Sequence, residues 1–188
     1  MDALFVSLLV VALGEMGDKT QLLSLLLAAR FRRPVPIILG IVVATLLNHL
    51  LAGFVGVWVR SALTPEVLRV GLGVSFLALA AWTLVPDTLE ERRAARGQSG
   101  VFLVTLVTFF LAEMGDKTQV ATVMLAAKYQ TLGAVVAGTT LGMLVADVPA
   151  VLLGKMAAPK LPVRLVRVVA AIVFAVLGIG VLLGFGYL

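Results

Sequence analysis

Glu15-Met16-Gly17-Asp18-Lys19-Thr20-Gln21 occurs a second time, unchanged, as Glu113-Met114-Gly115-Asp116-Lys117-Thr118-Gln119. Both copies lie inside long apolar stretches that otherwise read as membrane-spanning helices. An ionisable residue in hydrocarbon is costly, so it marks a functional site by default. The offset of 98 residues extends beyond the motif without gaps. Val6, Leu8 and Leu13 align with Val104, Leu106 and Leu111, and Leu27-Ala28-Ala29 aligns with Leu125-Ala126-Ala127. Between 5–30 and 103–128, 13 of 26 positions are identical, which identifies an internal duplication. Gly40 with Gly138, Gly56 with Gly154, Arg69 with Arg167 and Phe76 with Phe174 continue the register, though such sparse matches carry little weight in so apolar a chain.

Apolar runs of about 20 residues mark spanning helices. Six are expected, at about 3–29, 34–59, 66–86, 100–127, 131–154 and 162–187. The breaks between them carry loop chemistry: arginines and prolines from Arg30 to Pro36, Thr64-Pro65, the polar connection from Pro86 to Gly100, and lysines and prolines from Lys155 to Pro162. The chain is 188 residues, 61% hydrophobic and 13% charged, about half the charge of a soluble domain. It therefore reads as a single all-α integral membrane domain over 1–188. Repeat 1 spans about 1–86, a linker about 87–99, and repeat 2 about 100–188. The N-terminus does not read as a signal peptide, because Asp2 replaces a basic region and no small-residue cleavage site follows.

Each repeat holds an odd number of helices, so the second enters the membrane from the opposite side. The expected architecture is two inverted three-helix repeats. Many secondary transporters are built this way, with the binding site near the midplane at the repeat interface. A duplicated anchor with no transport role is the plainer alternative, but an anchor has no use for charges at mid-span. Loop charge sets the orientation. The connections after helices 1, 3 and 5 carry Arg30, Arg32, Arg33, Arg92, Arg93, Arg96, Lys155, Lys160, Arg164 and Arg167. The other side carries only Arg60, Arg69 and Lys128. The positive-inside rule then places the central loop in the cytoplasm and both termini outside, in a multi-pass plasma-membrane protein. The acidic Asp87, Glu90 and Glu91 of that loop count little in this rule.

The composition excludes several chemistries. One His and no Cys argue against zinc, copper and iron–sulfur sites. The net charge of +5 sits in short loops and is not a nucleic-acid signal. What remains is oxygen. Glu15 and Asp18 are three residues apart, as are Glu113 and Asp116, so in a continuous helix each pair shares a face. Gln21 and Gln119 continue that face, and Thr20 and Thr118 flank it. Such a set suits hard cations: Mg²⁺, Ca²⁺ or Mn²⁺. Met16 and Met114 offer thioethers that would favour Mn²⁺, or serve as packing.

Gly17 and Gly115 lie between the carboxylates, where a helical Gly costs about 1 kcal/mol relative to Ala. They mark either local unwinding that frees carbonyls for an ion or close helix packing. A first helix of about 27 residues spans about 40 Å against about 30 Å of hydrocarbon, so a tilt or break is expected. Lys19 and Lys117 follow the Glu by four residues, and an intrahelical Glu–Lys pair is the favoured reading. On helices 2 and 5, Asn48-His49 aligns with Ala146-Asp147. His49 is a proton relay or a packing residue. Asp147 in hydrocarbon needs a partner, and Pro149 nearby frees a helix carbonyl. Gly138 and Gly142 give a small-xxx-small spacing for tight packing. Glu15, Asp18, Glu113, Asp116 and Asp147 exceed Lys19 and Lys117 by three charges. Carboxylates held together cannot all ionise, so protons and a divalent cation compete for them, which is the physical basis of antiport.

The doubled E-x-G-D-K/R-T/S pattern in a six-helix chain resembles the Gdt-type (transmembrane protein 165) family of cation/proton exchangers. Both copies match at every fixed position, and the resemblance covers essentially the whole chain. It implies export of Mn²⁺ or Ca²⁺ in exchange for protons, with Glu15, Asp18, Glu113 and Asp116 as the ion ligands. Thr20, Thr118, Gln21 and Gln119 are secondary candidates. Asp147, His49, Asn48, Lys19 and Lys117 fall to accessory or proton-coupling roles. No bound cofactor is expected. The metal ion and protons are cargo, the bilayer is the environment, and a homo-oligomer is an open arrangement. Organellar members carry extra N-terminal sequence that this chain lacks, so it is expected to be the compact prokaryotic form. Three other readings compete. A passive cation channel normally repeats its carboxylates around an oligomer, an exporter of cationic organic solutes needs an apolar or aromatic pocket, and a membrane enzyme or assembly factor needs a nucleophile–base pair or a larger polar loop than the about 14 residues here.

Overall fold

A computed structural model describes residues 2–85, 100–153 and 163–184. The central loop with Arg92, Arg93 and Arg96, its acidic residues, and Lys155 and Lys160 lie outside the described residues. Within them the chain is all helical, with no strand. The helices are α1 (Asp2–Glu15), α2 (Lys19–Phe31), α3 (Pro34–Ala62), α4 (Pro65–Thr83), α5 (Val101–Glu113), α6 (Lys117–Lys128), α7 (Leu132–Leu153) and α8 (Val163–Leu182). Of these, α3, α4 and α7 are each long and apolar enough to cross a membrane.

The expected first and fourth spans are each broken in two, at 16–18 and at 114–116. This corrects the continuous-helix reading of the motif. Both breaks turn on glycine: φ is +81° at Gly17 and +74° at Gly115, a left-handed conformation that an L side chain resists. A Cβ on Gly115 would meet nothing within 4 Å, so this glycine serves conformation and not close packing. After each glycine an Asp in extended backbone starts the next helix as its N-cap, Asp18 at ψ 173° and Asp116 at ψ 164°. A carboxylate there faces the positive end of the helix dipole.

The helices pair in a pattern that recurs when the halves are exchanged. α1 packs along α7 as α5 packs along α3, and α2 meets α7 as α6 meets α3. Small residues allow the close approach. A Cβ on Gly138 would run into the Leu4 carbonyl oxygen, and one on Gly40 would sit 3.0 Å from the Phe102 carbonyl oxygen. Those four residues correspond under the 98-residue offset. α4 and α8 pack against each other, and the equivalent Phe76 and Phe174 stack there with ring centres 6.5 Å apart. Large apolar side chains such as Leu39, Phe54, Trp58 and Ile172 face outward, while Glu15, Asn48, His49 and Asp147 are buried. A chain that turns its grease out and its charge in is arranged for a bilayer.

Candidate metal site

The breaks bring the two motifs together. Glu15 ends α1 and Asp18 starts α2, while Asp116 starts α6 from the other repeat. One carboxylate oxygen from each of the three lies within 4.8 Å of the others, and all three residues are buried. Oxygens on opposite sides of a Ca²⁺ ion are about 4.6–5.2 Å apart, so this spacing is that of one coordination sphere. One oxygen of Glu15 accepts from Thr20 Oγ1 and the other, Oε1, is buried with no hydrogen-bond partner among the described residues. Thr118 Oγ1 donates to Asp116 Oδ2 at 3.4 Å. The C-terminal end of α1 brings the negative pole of a helix dipole to the cluster, and the N-terminal ends of α2 and α6 bring positive poles that favour the two Asp carboxylates.

The lysines depart from expectation. Lys19 Nζ lies 2.8 Å from Asp116 Oδ1, and Lys117 Nζ lies 3.8 Å from Asp18 Oδ1. Each motif's Lys reaches the other motif's Asp, across the two repeats. The favoured intrahelical Glu–Lys pairing is thereby replaced by ion pairs across the repeats. Lys117 also donates to the Val85 carbonyl at 3.3 Å and sits 6.0 Å from the Trp82 ring centre.

The glutamines brace the breaks. Gly17 N–H donates to Gln21 Oε1 at 2.9 Å, and Gly115 N–H donates to Gln119 Oε1 at 2.7 Å. Their amide nitrogens then reach equivalent places on the neighbouring helices: Gln21 Nε2 to the Ala146 carbonyl at 3.2 Å, Gln119 Nε2 to Asn48 Oδ1 at 3.4 Å. They do not continue a carboxylate face, because no continuous helix carries one.

Glu113 does not join the three-carboxylate cluster. It accepts from Thr45 Oγ1 at 3.0 Å and Asn48 Nδ2 at 2.9 Å, and His49 Nε2 is 4.0 Å from its Oε1. Neither His49 nitrogen has a hydrogen-bond partner among the described residues. On the equivalent face of α7 stand Met143, Ala146 and Asp147, which offer Glu15 no such donors. Identical motifs thus acquire different surroundings from the helices that flank them. Asp147 Oδ1 accepts from Ser24 Oγ at 2.9 Å, and its Oδ2 is buried without a hydrogen-bond partner among the described residues. Pro149 lies inside α7 as expected.

Three residues that sequence reasoning passed over belong here: Ser24, Thr45 and Arg167. Thr45 lies three residues before Asn48 on one helix face, and Ser24 aligns with Thr122, so both left a readable signal. The loop-charge reading assigns Arg167 to the connection before the last helix. That arginine lies within α8, and its Nη2 donates to the Gly17 carbonyl at 3.2 Å.

A family model described as "Divalent cation/proton antiporter GDT1" matches residues 3–91 and 101–185. A Vibrio cholerae protein named "Putative manganese exporter" is 51% identical over 182 residues, covering 95% of this chain and 90% of that one. A GDT1-like protein 3 of Oryza sativa subsp. indica is 31% identical, covering 92% of this chain and 71% of its own length. A GDT1-like protein of Synechocystis is 30% identical, covering 93% of each. No solved structure matches.

Proposed function

The chain belongs to the GDT1 family of divalent cation/proton antiporters, and from that premise we propose that it exports Mn²⁺ from the cytoplasm in exchange for protons. The observation that carries this reading is the group of buried carboxylate oxygens of Glu15, Asp18 and Asp116 within 4.8 Å of one another. Glu15 and the two Asp are the direct ligands, with Glu113 entering the sphere during the cycle. Thr20 and Thr118 orient carboxylates, and Gln21 and Gln119 hold the breaks open. Lys19 and Lys117 supply counter-charge to the Asp pair, and a dication that displaces them takes over that role. Asp147 and His49 lie beside the two glutamates as proton-coupling groups, with Asn48 as the donor to Glu113. The membrane arrangement is six spans, the first and fourth broken, in two inverted repeats with both termini outside. Exchange of partners between the halves supports that symmetry, and transport by alternating access follows from it. Manganese is favoured over calcium by the name of the Vibrio cholerae relative. A passive channel or an exporter of cationic organic solutes is the alternative.

Proteoliposomes loaded with a pH indicator test this. Mn²⁺ uptake should move protons in the opposite direction and respond to an imposed pH gradient. Glu15→Gln and Asp116→Asn should abolish flux while the protein still elutes as a folded species. Metal flux that ignores the pH gradient and moves no protons would make the protein a channel.

A further inference from the structure

The two halves share a motif but not its surroundings on the outer side. α8 lies along α1 and α4 lies along α6. Exchange of the halves would place α4 along α5 and α8 along α2, yet both of those contacts are marginal at most among the described residues. The pair α4–α8 therefore leans to one side of a core whose own pairings are balanced.

The lean shows at the two breaks. Gly17 is half-buried, and Arg167 from α8 occupies its carbonyl at 3.2 Å. Gly14, just before that break, lies against Phe174 of α8, with its Cβ position 3.9 Å from the ring. Gly115 is exposed, and so is Met114 at 56%. The residue equivalent to Arg167 is Arg69 on α4. Its guanidinium does not reach Gly115. It lies instead beside Gly184 at the end of α8, with Nη1 3.9 Å from the Cβ position there. One arginine is thus engaged at its break, and its counterpart is held away.

We infer that Arg167 and Arg69 are reciprocal latches, and that the pair α4–α8 moves between the α1/α6 side and the α5/α2 side of the core while sliding along its axis by on the order of 20 Å, the rise that separates Arg167 from the Gly184 end where Arg69 now lies. In the second position Arg69 donates to the Gly115 carbonyl while Arg167 leaves Gly17. The pairings of the core helices already recur between the halves, which makes the mirrored arrangement available to the outer pair. The carbonyl released at each break by a left-handed glycine needs a donor in turn, and a guanidinium is the one cation here that never loses its proton. Both arginines are positioning residues: they select which break is covered and leave the carboxylates to hold the ion. The inference rests on the alternating-access reading above.

Because the chain has no cysteine, introduced thiols are the only labelling sites. Leu9 with Ile172 reports the α1–α8 spacing, and the equivalent Val107 with Val74 reports α5–α4; all four are exposed. Spin-label distances for each pair, in liposomes, should show two populations that change in opposite senses. Arg167→Ala should lower the population with α1 and α8 close and raise the one with α4 and α5 close. The expected change is about tenfold in their ratio, as loss of one charge-assisted hydrogen bond produces. Arg69→Ala should do the reverse, and Arg167→Lys should largely retain the native ratio. The proposal is overturned if Arg167→Ala leaves both distributions unchanged, lengthens both, or shifts them in the same sense as Arg69→Ala. Mn²⁺/proton exchange by the unsubstituted protein is scored separately. Intact exchange without the reciprocal shift rejects only the latches, whereas absent exchange rejects the transport reading whatever the distances do.

Discussion

Replacing Gly115 by Ala distinguishes a broken helix from a continuous one by the sign of the effect. In a continuous helix the change is favourable by about 1 kcal/mol, because Ala is the better helix former. At φ +74° the same Cβ is opposed by the carbonyl that follows, at a cost of about 1–2 kcal/mol. No neighbour lies within 4 Å of that Cβ, so packing neither adds to nor relieves the conformational cost. The reduced freedom of the unfolded chain returns about 0.4–1 kcal/mol, which at the midpoints of the two ranges leaves a net destabilisation of about 0.8 kcal/mol. Gly115→Asn should lose less, since Asn tolerates the left-handed region. Equilibrium unfolding in mixed micelles of rising denaturing-detergent content measures the difference. A Gly115→Ala protein as stable as the parent, or more so, would refute the break as the reason for this glycine.

A double-mutant cycle with Lys19→Met and Asp116→Asn should return a coupling of about 1–3 kcal/mol, and additivity within about 0.5 kcal/mol would remove the cross-repeat pair. Gly142→Val should cost about 1–3 kcal/mol, because its Cβ would lie 2.5 Å from the Leu8 carbonyl oxygen, and detergent unfolding reads this directly. Gly71→Ala in α4 should instead add up to about 1 kcal/mol, as its Cβ meets nothing within 4 Å in a helical segment; a loss there would contradict the packing. Asn48→Leu deprives buried Glu113 of a donor and should cost about 1–3 kcal/mol, with Asn48→Ser recovering part of it in the same unfolding assay.

The helical segments were legible because length and apolar content are local properties. Boundaries such as 34–59 and 131–154 differ from α3 and α7 by a few residues. The breaks were half legible. Excess length and a central Gly pointed to one, but the choice between unwinding and packing depends on φ, which residue identity does not dictate. The same choice undid the shared-face argument for Glu15 and Asp18. Partners were the least legible. Lys19 sits four residues from Glu15 in sequence and 2.8 Å from Asp116 in space, and no spacing rule links residues 19 and 116. Arg167 was misplaced because a count of loop charges assumes that arginines near a helix start stay in the loop. This one is four residues inside α8 and reaches inward to a carbonyl.

Sequence alone determined that this chain is a duplicated helical membrane protein with carboxylates near the middle of its first and fourth apolar stretches. Hydropathy, repeat and the cost of buried charge are all written along the chain. Tertiary structure decided how two identical motifs become unlike. Glu15 joins Asp18 and Asp116, whereas Glu113 is taken up by Thr45 and Asn48, because α3 carries donors where α7 carries Met143 and Ala146. It also decided which break α8 covers. That is a property of how a nearly symmetric core seats its outer helix pair, which no local spacing along the chain specifies.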